Sequence, residues 1–378
     1  MGRFAVDLID SISKLSEELP APAFGPRVVQ HMVLSGRQSF PRPLPLLIRG
    51  QDLVWDWLAD YHHTPNLPPP RGMNCYFIRD LVLVEHDTPF IGGAMAVCTE
   101  MMPAYRAHLV QGDHSGLVAD RLRLPCRTID GPCFPLAADG NVYGHFLIEA
   151  LARLHVVARL LRPVLPAYRI LVIRGLPAWV RRIMSDVYQV QQSDLVEYDP
   201  EGERVLLPQA IWPSLPMSGD QFHPYMNLVI ADLLANLSVG AGLHIERVFL
   251  SRMLFHNPVM HQRTFGNEQE LAEIAVGEYG FCPIAPETIP WVEQVRLFAN
   301  ARAIIGRFGS GLHNALFARS GTQVGVLGFG NLVQSGISAL RSQRLAYVTA
   351  GNDAVPFIVP PDLFRRLADA VLAPRPGP

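Results

Sequence analysis

Short apolar runs alternate with helix-forming patterns over residues 247–327, and few folds accommodate that order. The pattern predicts strands at 247–251, 280–284, 303–306 and 322–327, with helices at 267–279, 289–300 and 311–319 between them. An apolar run without polar alternation is typical of a strand that is buried on both faces of a parallel sheet. Because the strands are joined by helices, the connections are expected to be right-handed crossovers. This stretch therefore predicts a compact Rossmann-like half.

The preceding part of the chain shows the same alternation. It predicts helices at 141–161, 178–188 and 223–238, and strands at 168–173, 194–198 and 204–207. The segment Gly240-Ala241-Gly242 is a predicted hinge. The predicted fold class is α/β, with two Rossmann-like domains, each an open parallel sheet, facing a cleft. Ligands of such sheets bind beyond the carboxyl ends of the strands.

The two ends of the chain carry other patterns. An amphipathic helix is predicted over residues 4–18, and residues 19–72 form a proline-rich, loop-rich arm with one short helix at 53–61. Residues 74–127 form a strand-rich extension in which Arg79-Asp80 separates two apolar runs. The predicted domains are 1–72 (helix and arm), 73–240 (first α/β domain), 241–350 (Rossmann-like domain) and 351–378 (C-terminal helix, at 361–373, and tail).

The composition excludes several classes of protein. A formal net charge of −2 over 378 residues argues against a nucleic-acid partner. No apolar stretch is long enough to span a membrane, and residues 1–20 lack the pattern of a secretory signal. The five cysteines show no metal-binding spacing, which favours reduced thiols in the cytoplasm. The N-terminal helix and arm are expected either to wrap the chain's own domains or to dock peripherally at the inner membrane or on an assembly partner.

A glycine-rich turn follows the predicted strand at 303–306. Gly309, Ser310 and Gly311 form this turn, and His313 and Asn314 lie in the first turns of the next helix. Glycine allows close approach of the backbone to a ligand, and the free N–H groups of a helix start favour an anion such as a diphosphate. The alternative is a tight turn that needs a positive φ and binds nothing.

A second set of candidates follows the predicted strand at 247–251. Arg252 stands at its carboxyl end, where the planar guanidinium suits a phosphate. Arg263, Asn267 and Glu268 follow in a polar loop and at the start of the next helix, and are candidates for the same ligand. The alternatives are surface ion pairs for the arginines and a helix cap for Asn267.

The helix at 141–161 carries a candidate acid–base pair. His145 lies on its first turn and Glu149 lies one turn later. Histidine titrates near neutrality and is therefore a candidate general base, which Glu149 would orient unless Glu149 is itself the base. The alternative is a packed histidine, with Glu149 paired to Arg153.

Carboxylates near the strand ends show no metal-binding pattern. Glu287 follows the predicted strand at 280–284, where it would accept the two hydroxyls of a ribose, unless it and Glu293 only serve the next helix. The chain has no DxD pair, Walker loop, GxGxxG, GxSxG or HExxH motif. No metal or cofactor is therefore expected, and arginine with the helix dipole would supply the charge that a diphosphate needs.

These stretches together resemble glycosyltransferase family 61 over about residues 74–350. The matching C-terminal residues follow the family's order and spacing: Phe249-Leu250-Ser251-Arg252, Arg263, Asn267-Glu268, Leu271, Gly280-Phe281, Pro286-Glu287, Glu293-Gln294-Val295, Leu297-Phe298, Ala301, Ile304-Ile305-Gly306, Gly309, Gly311-Leu312, Asn314 and Phe317. Upstream, residues 141–146 with Leu154 are similar to the family's N-Y-x-H-W … L-P-R-L helix, with Phe146 in place of the tryptophan.

The resemblance implies a GT-B fold and a metal-independent, inverting transfer of a sugar from a nucleotide diphosphate. The donor, a UDP-sugar or another nucleotide sugar, would be held by residues 241–350. The acceptor, a saccharide or lipid-linked saccharide in capsular or other surface polysaccharide biosynthesis, would be held by residues 73–240. One departure is Phe308, which stands where the family has a histidine before the glycine of its turn. Either His313 substitutes for that histidine or the activity is altered.

Two other functions remain open at this point. Phe308 is compatible with a non-catalytic subunit of a polysaccharide assembly complex that keeps the fold and has lost the chemistry. A nucleotide-sugar epimerase can share the architecture and the lack of a metal, but it would need no acceptor.

Overall fold

The structure is a computed structural model that describes residues 8–9, 16–18, 29–35, 45–49, 72–86, 88–96, 118, 120–136, 142–218, 221–237, 244–254, 266–328, 332–349 and 358–374. The chain divides into two compact units. Unit 1 comprises Met1–Gln38 and Pro69–Val229, and unit 2 comprises Ser39–Pro68 and Ile230–Pro378.

The strands in chain order are β1 (Leu8–Ile9), β2 (Ser16–Glu18), β3 (Val29–Ser35), β4 (Leu46–Arg49), β5 (Met73–Val84), β6 (Thr88–Ile91), β7 (Ala94–Ala96), β8 (Cys126–Thr128), β9 (Pro132–Pro135), β10 (Arg169–Ile173), β11 (Leu195–Tyr198), β12 (Arg204–Pro213), β13 (Met217–Ser218), β14 (Gln221–Phe222), β15 (Arg247–Leu250), β16 (Cys282–Ile284), β17 (Ala303–Arg307), β18 (Gln323–Leu327) and β19 (Arg344–Thr349). The helices are α1 (residues 143–161), α2 (Ala178–Asp186), α3 (Tyr225–Asn236), α4 (Glu268–Gly277), α5 (Trp291–Asn300), α6 (Leu332–Leu340) and α7 (Pro361–Leu372). Short 3-10 helices cover Gln192–Asp194, Pro286–Thr288 and Ser310–Phe317.

Unit 2 is built on a parallel sheet whose described strands follow the order β16-β15-β17-β18-β19-β4. The chain moves outward from β15 to β16 and then returns to the other side of β15 with β17. The strand order therefore reverses between β15 and β17, and a crevice at such a switch point is where open α/β sheets bind ligands. The predicted Rossmann-like alternation of residues 247–327 is confirmed.

One cluster of the unit 2 core lies between this sheet and two of its helices. Phe249 of β15 and Ile305 of β17 pack in one cluster with Leu271 of α4 and Leu367 of α7. Strands β15 and β17 approach closely, because a Cβ atom on Gly306 would lie 2.8 Å from the Leu250 Cβ atom. The register pairs these two residues directly, so glycine is needed at position 306.

Unit 1 holds a mixed sheet, so the expectation of a second all-parallel sheet is wrong. Strands β9, β10 and β11 are parallel, as the alternation predicts, and β12 is parallel to β9. On its other side β12 is antiparallel to β5, which continues into the antiparallel β6 and β7. Strand β5 runs unbroken through Arg79-Asp80, because both side chains are exposed and the register with β12 does not shift.

Helix α1 is continuous but not uniform. It begins as an α-helix at Tyr143–His145, turns π-helical at Phe146–Ala150, returns to an α-helix at Leu151–His155 and ends π-helical at Val156–Leu161. A π-helical stretch is rare and is frequently found at functional sites. The helix predicted at 141–161 is confirmed from Tyr143, and residue 141 lies outside the described residues.

The N-terminal segment differs from its predicted structure where it is described. The helix predicted over residues 4–18 is wrong where the structure describes it, because β1 pairs with β7 and β2 pairs with β3. Two segments of the predicted loop-rich arm are also strands, since β3 pairs with β5 and β4 forms the edge of the unit 2 sheet. The helix predicted at 53–61 and the glycines at 240–242 lie outside the described residues.

Other elements were predicted with small shifts at their ends, including α2, α3, α4, α5 and α7. The helix expected at 311–319 is a 3-10 helix, Ser310–Phe317. Within the described ranges, none of the helices combines the length and the apolar character needed to span a bilayer.

Candidate functional site

The carboxyl end of β15 is held in place by a buried carboxylate. Glu268, the first residue of α4, accepts a hydrogen bond at Oε1 from Ser251 Oγ at 2.9 Å. The same oxygen accepts the backbone N–H of Arg252. Glu268 is 5% exposed, and its negative charge lies in the first turn of α4, where the helix dipole favours an anion. Glu268 therefore fixes the backbone from which the Arg252 side chain projects.

Arg252 lies against the glycine turn after β17. A Cβ atom on Gly309 would be 3.0 Å from Arg252 Nη1, so glycine is what lets the guanidinium come this close. Gly309 also has a φ of +139°, a backbone conformation that side-chain-bearing residues rarely adopt. The arginine predicted at one strand end and the turn predicted at the next thus meet at the switch point of the sheet.

A buried amide network anchors this turn. Asn314, fully buried, donates from Nδ2 to the Gly311 carbonyl at 3.0 Å and to Gln294 Oε1 at 3.2 Å. Gln294 in turn donates from Nε2 to the Pro286 carbonyl at 2.7 Å and to the Ile289 carbonyl at 3.1 Å. The network ties the start of the 3-10 helix after β17 to the turn after β16. Asn314 therefore positions the turn by donating a hydrogen bond to the Gly311 backbone carbonyl.

The remaining predicted residues of unit 2 differ in burial and in the partners that they contact. Asn267 exchanges two hydrogen bonds with the backbone of Val359, at 2.8 and 3.2 Å, and makes no side-chain cap on α4. Glu287 is exposed in the 3-10 turn after β16. Ser310 is half-buried and His313 is buried, and both belong to the 3-10 helix that follows Gly309. Arg263 lies outside the described residues.

The sequence prediction passed over Arg307. This arginine is the last residue of β17, is buried, and places its guanidinium carbon 5.6 Å from the centre of the Phe308 ring. A cation over an aromatic face is attracted to the ring. Phe308, which replaces the histidine expected from the resemblance, thus packs against a buried positive charge. The sequence could have indicated Arg307, because it is an arginine at the end of an apolar strand, as Arg252 is.

Unit 1 contains the predicted acid–base pair. His145 Nδ1 lies 3.2 Å from Glu149 Oε1, and the two side chains are 33% and 7% exposed. The imidazole is therefore accessible, whereas the carboxylate that contacts it is buried. The π-helical stretch begins directly after His145 and contains Glu149. The rings of Tyr143 and Phe146 both pack edge-on against Trp179, which fixes the start of the helix.

Arg153, one turn beyond Glu149, is built into the core of unit 1. Its guanidinium donates to the carbonyls of Pro213 and Pro135, at 3.1 and 3.3 Å. It also lies 4.9 Å from the ring centre of Trp212 and 5.4 Å from that of Phe134. These contacts attach α1 to the carboxyl ends of β9 and β12, and so fix the helix that carries His145.

Within the described residues, no group of three or more His, Cys, Asp or Glu side chains is arranged to hold a metal ion.

Comparison with known protein families identifies the class of protein. Residues 143–325 match the model of the Glycosyltransferase 61 family, so the chain carries a domain of that family. The match runs from the first residue of α1 into β18 and therefore includes His145, Arg252 and Gly309. The resemblance expected over residues 74–350 is thus confirmed for 143–325. No curated protein matches the chain significantly.

Proposed function

We propose that this glycosyltransferase moves a sugar from a nucleotide-diphosphate donor to a hydroxyl of a saccharide, with inversion at the anomeric carbon and without a metal ion. The observation that supports it is the contact between Arg252 and the Gly309 turn at the switch point of the unit 2 sheet. In this proposal the chain is a GT-B enzyme in which unit 2 takes the donor and unit 1 takes the acceptor.

Unit 2 stabilises the leaving group. As the bond between the anomeric carbon and the diphosphate oxygen breaks, negative charge develops on that oxygen. The Arg252 guanidinium offers charged donors to the diphosphate, and the first N–H groups of the 3-10 helix have no acceptors within the helix. These donors are fixed before the reaction, by Glu268 on one side and by Asn314 on the other. Donors held in this way lower the barrier more than mobile ones do.

Unit 1 supplies the base. When His145 donates Nδ1–H to Glu149, the basic lone pair of the neutral imidazole is on Nε2, and this atom serves as the base. It takes the proton of the acceptor hydroxyl while the hydroxyl oxygen forms the new bond to the anomeric carbon. The buried Glu149 stabilises the imidazolium that results.

The biological setting follows from the donor and acceptor classes. The donor is a UDP-sugar, and the acceptor is a saccharide or lipid-linked saccharide in the biosynthesis of a capsular or other surface polysaccharide. The protein acts in the cytoplasm, with peripheral contact at the inner membrane or with a polysaccharide assembly complex.

Replacing Arg252 tests the proposal. The Arg252→Ala variant is expected to turn over donor roughly 10²-fold or more slowly, which is the usual loss on removing one donor to a developing negative charge. The measurement is product formation from a panel of nucleotide sugars, with the anomeric configuration read by NMR.

The control for this test is Arg302→Ala. Arg302 is 68% exposed in the same unit and pairs with Glu246 on the surface, so its loss should leave turnover within about twofold. Turnover by Arg252→Ala within a few-fold of the wild-type rate would remove Arg252 from the mechanism. A product of retained configuration would contradict the inverting transfer.

A further inference from the structure

Helix α6 carries buried polar atoms that make no hydrogen bond within the described part of the chain. They are both amide atoms of Gln334 and the hydroxyl oxygen of Ser338. Each of the two residues is 1% exposed. Nearly all buried polar atoms of native proteins are hydrogen-bonded, because an unsatisfied one destabilises the fold. Three such atoms within one helical turn therefore point to a group that binds there.

The face of α6 that carries these atoms can be placed. Gln334 and Ser338 are four residues apart and lie on one side of the helix. Arg341, seven residues after Gln334, shares that side and donates from Nη2 to the Ala318 carbonyl at 3.2 Å. Ala318 directly follows the 3-10 helix Ser310–Phe317, which packs against α6. The orphaned atoms therefore face this 3-10 helix.

The direction of the two helices places Gln334 at the edge of the sheet where the donor is proposed to bind. The 3-10 helix follows β17 and α6 follows β18, and these two strands are parallel neighbours. Both helices therefore start at the same edge of the sheet. Gln334 is in the first turn of α6 and faces the 3-10 helix, whose start follows Gly309, the residue that Arg252 lies against.

The chemistry of the Gln334 and Ser338 side chains indicates which part of the nucleotide sugar they would contact. A glutamine amide and a serine hydroxyl are neutral and offer both donors and acceptors, whereas a diphosphate calls for charge. The neutral polar parts of a nucleotide sugar are its base and its sugar. A base presents a donor and an acceptor side by side, which one amide alone would satisfy. Groups spread over a helical turn of about 5 Å match the several hydroxyls of a sugar ring better.

Resting on the proposed function, we propose that Gln334 and Ser338 bind hydroxyl groups of the sugar that is transferred and so select the donor. Both residues lie beyond residues 143–325, outside the family match. In this proposal the two side chains gain hydrogen bonds only when the donor sugar binds, and this gain makes the proposal testable.

The experiment compares melting temperatures of the wild type and of Gln334→Met, alone and with UDP or a panel of UDP-sugars. Free Gln334→Met is expected to melt roughly 2–4 °C higher, because methionine fills the same space without an unsatisfied amide. Its affinity for the preferred UDP-sugar should fall about tenfold, while its affinity for UDP should not change. The added stabilisation that the sugar gives over UDP would then be lost.

Gln343→Met is the matched control. Gln343 is as deeply buried as Gln334, and its Oε1 also has no partner within the described residues, but its Nε2 donates to the Ala315 carbonyl at 2.7 Å. Its replacement should lower the melting temperature of the free protein and leave the sugar-dependent increment unchanged.

Three results would overturn the proposal. A lower melting temperature for free Gln334→Met would mean that the amide has a partner already. A full sugar-dependent increment in that variant would mean that water satisfies the amide, and an equal loss for UDP would mean that the base is bound instead. If no UDP-sugar or UDP stabilised the wild type, the proposed function itself would fail, and this inference with it.

Discussion

Glu268 sits in the first turn of α4 with one carboxylate oxygen accepting hydrogen bonds from Ser251 and from the Arg252 backbone. A carboxylate near an expected diphosphate would repel it if it pointed at the ligand. Here the carboxylate is buried and accepts hydrogen bonds from the Ser251 hydroxyl and the Arg252 backbone, so it does not point at the proposed diphosphate position. The sequence indicates a polar site at Glu268, but only the structure shows which groups donate hydrogen bonds to its carboxylate.

Removing this carboxylate should loosen the strand end. Glu268→Ala leaves a hydroxyl and an N–H without an acceptor, so the free energy of unfolding is expected to fall by about 1–3 kcal/mol. Glu268→Gln retains a carbonyl oxygen and should lose less than half of that. Urea denaturation measures both, and an unfolding midpoint for Glu268→Ala equal to that of the wild type would show that these hydrogen bonds do not hold the loop.

His145 provides a second prediction at this scale. His145→Ala is expected to slow turnover by about 10²–10⁴-fold, the usual contribution of a general base. Nucleotide affinity should not change, because His145 belongs to unit 1 and the proposed donor residues belong to unit 2. Single-turnover rates and calorimetric titration separate the two effects. A variant that turned over normally would assign the base to another residue.

At the scale of elements, the turn between β17 and its 3-10 helix combines close packing with an unusual backbone. Gly309→Ala is expected to weaken binding of a nucleoside diphosphate at least tenfold, because a methyl group would strain the positive φ and meet Arg252 Nη1 at 3.0 Å. Calorimetry with UDP measures this loss.

Gly311→Ala is the control two residues away. A Cβ atom at position 311 would come no nearer than 3.9 Å to another atom, that of Pro286, which is an ordinary contact. This variant should therefore bind UDP nearly as the wild type does. Equal losses in both variants would mean that the turn tolerates no side chain at all and that the contact with Arg252 is not the reason.

The elements that the sequence predicts well are those whose pattern is local. The alternation of residues 247–327 and the helix that carries His145 depend on apolar spacing, and both are confirmed. The placements of β1 and β4 depend on pairing with β7 and β19, which are distant in sequence. The N-terminal apolar stripe fits a helix, and pairing in the sheet overrides that preference. The π-helical stretches of α1 leave no mark in the spacing of residues.

The same division applies to the site. The strand-end rule predicts that Arg252 and the Gly309 turn lie together, and the structure places them in contact. The roles of Asn314 and Asn267 depend on which neighbouring carbonyl each amide reaches, and sequence does not carry that information. Gln334 was missed because a buried glutamine in an apolar helix looks like an ordinary surface position until its burial is known.

At the scale of the whole molecule, the family match supplies the class of reaction, and unit 2 is the part of the chain that we propose to bind the donor. The chain is a glycosyltransferase by its domain of family 61. In the proposed mechanism, arginine and backbone N–H groups hold the diphosphate without a divalent cation, while the Glu268 carboxylate faces the protein backbone.

Calorimetric titration of UDP into the wild type and into Arg252→Ala, each in EDTA and in Mg²⁺, tests this claim most directly. The wild type should bind UDP with the same affinity in both buffers, and the variant should bind at least tenfold more weakly in both, since one charged hydrogen-bonding group is lost. Binding that appears only with Mg²⁺, or that survives the loss of Arg252, would contradict the account.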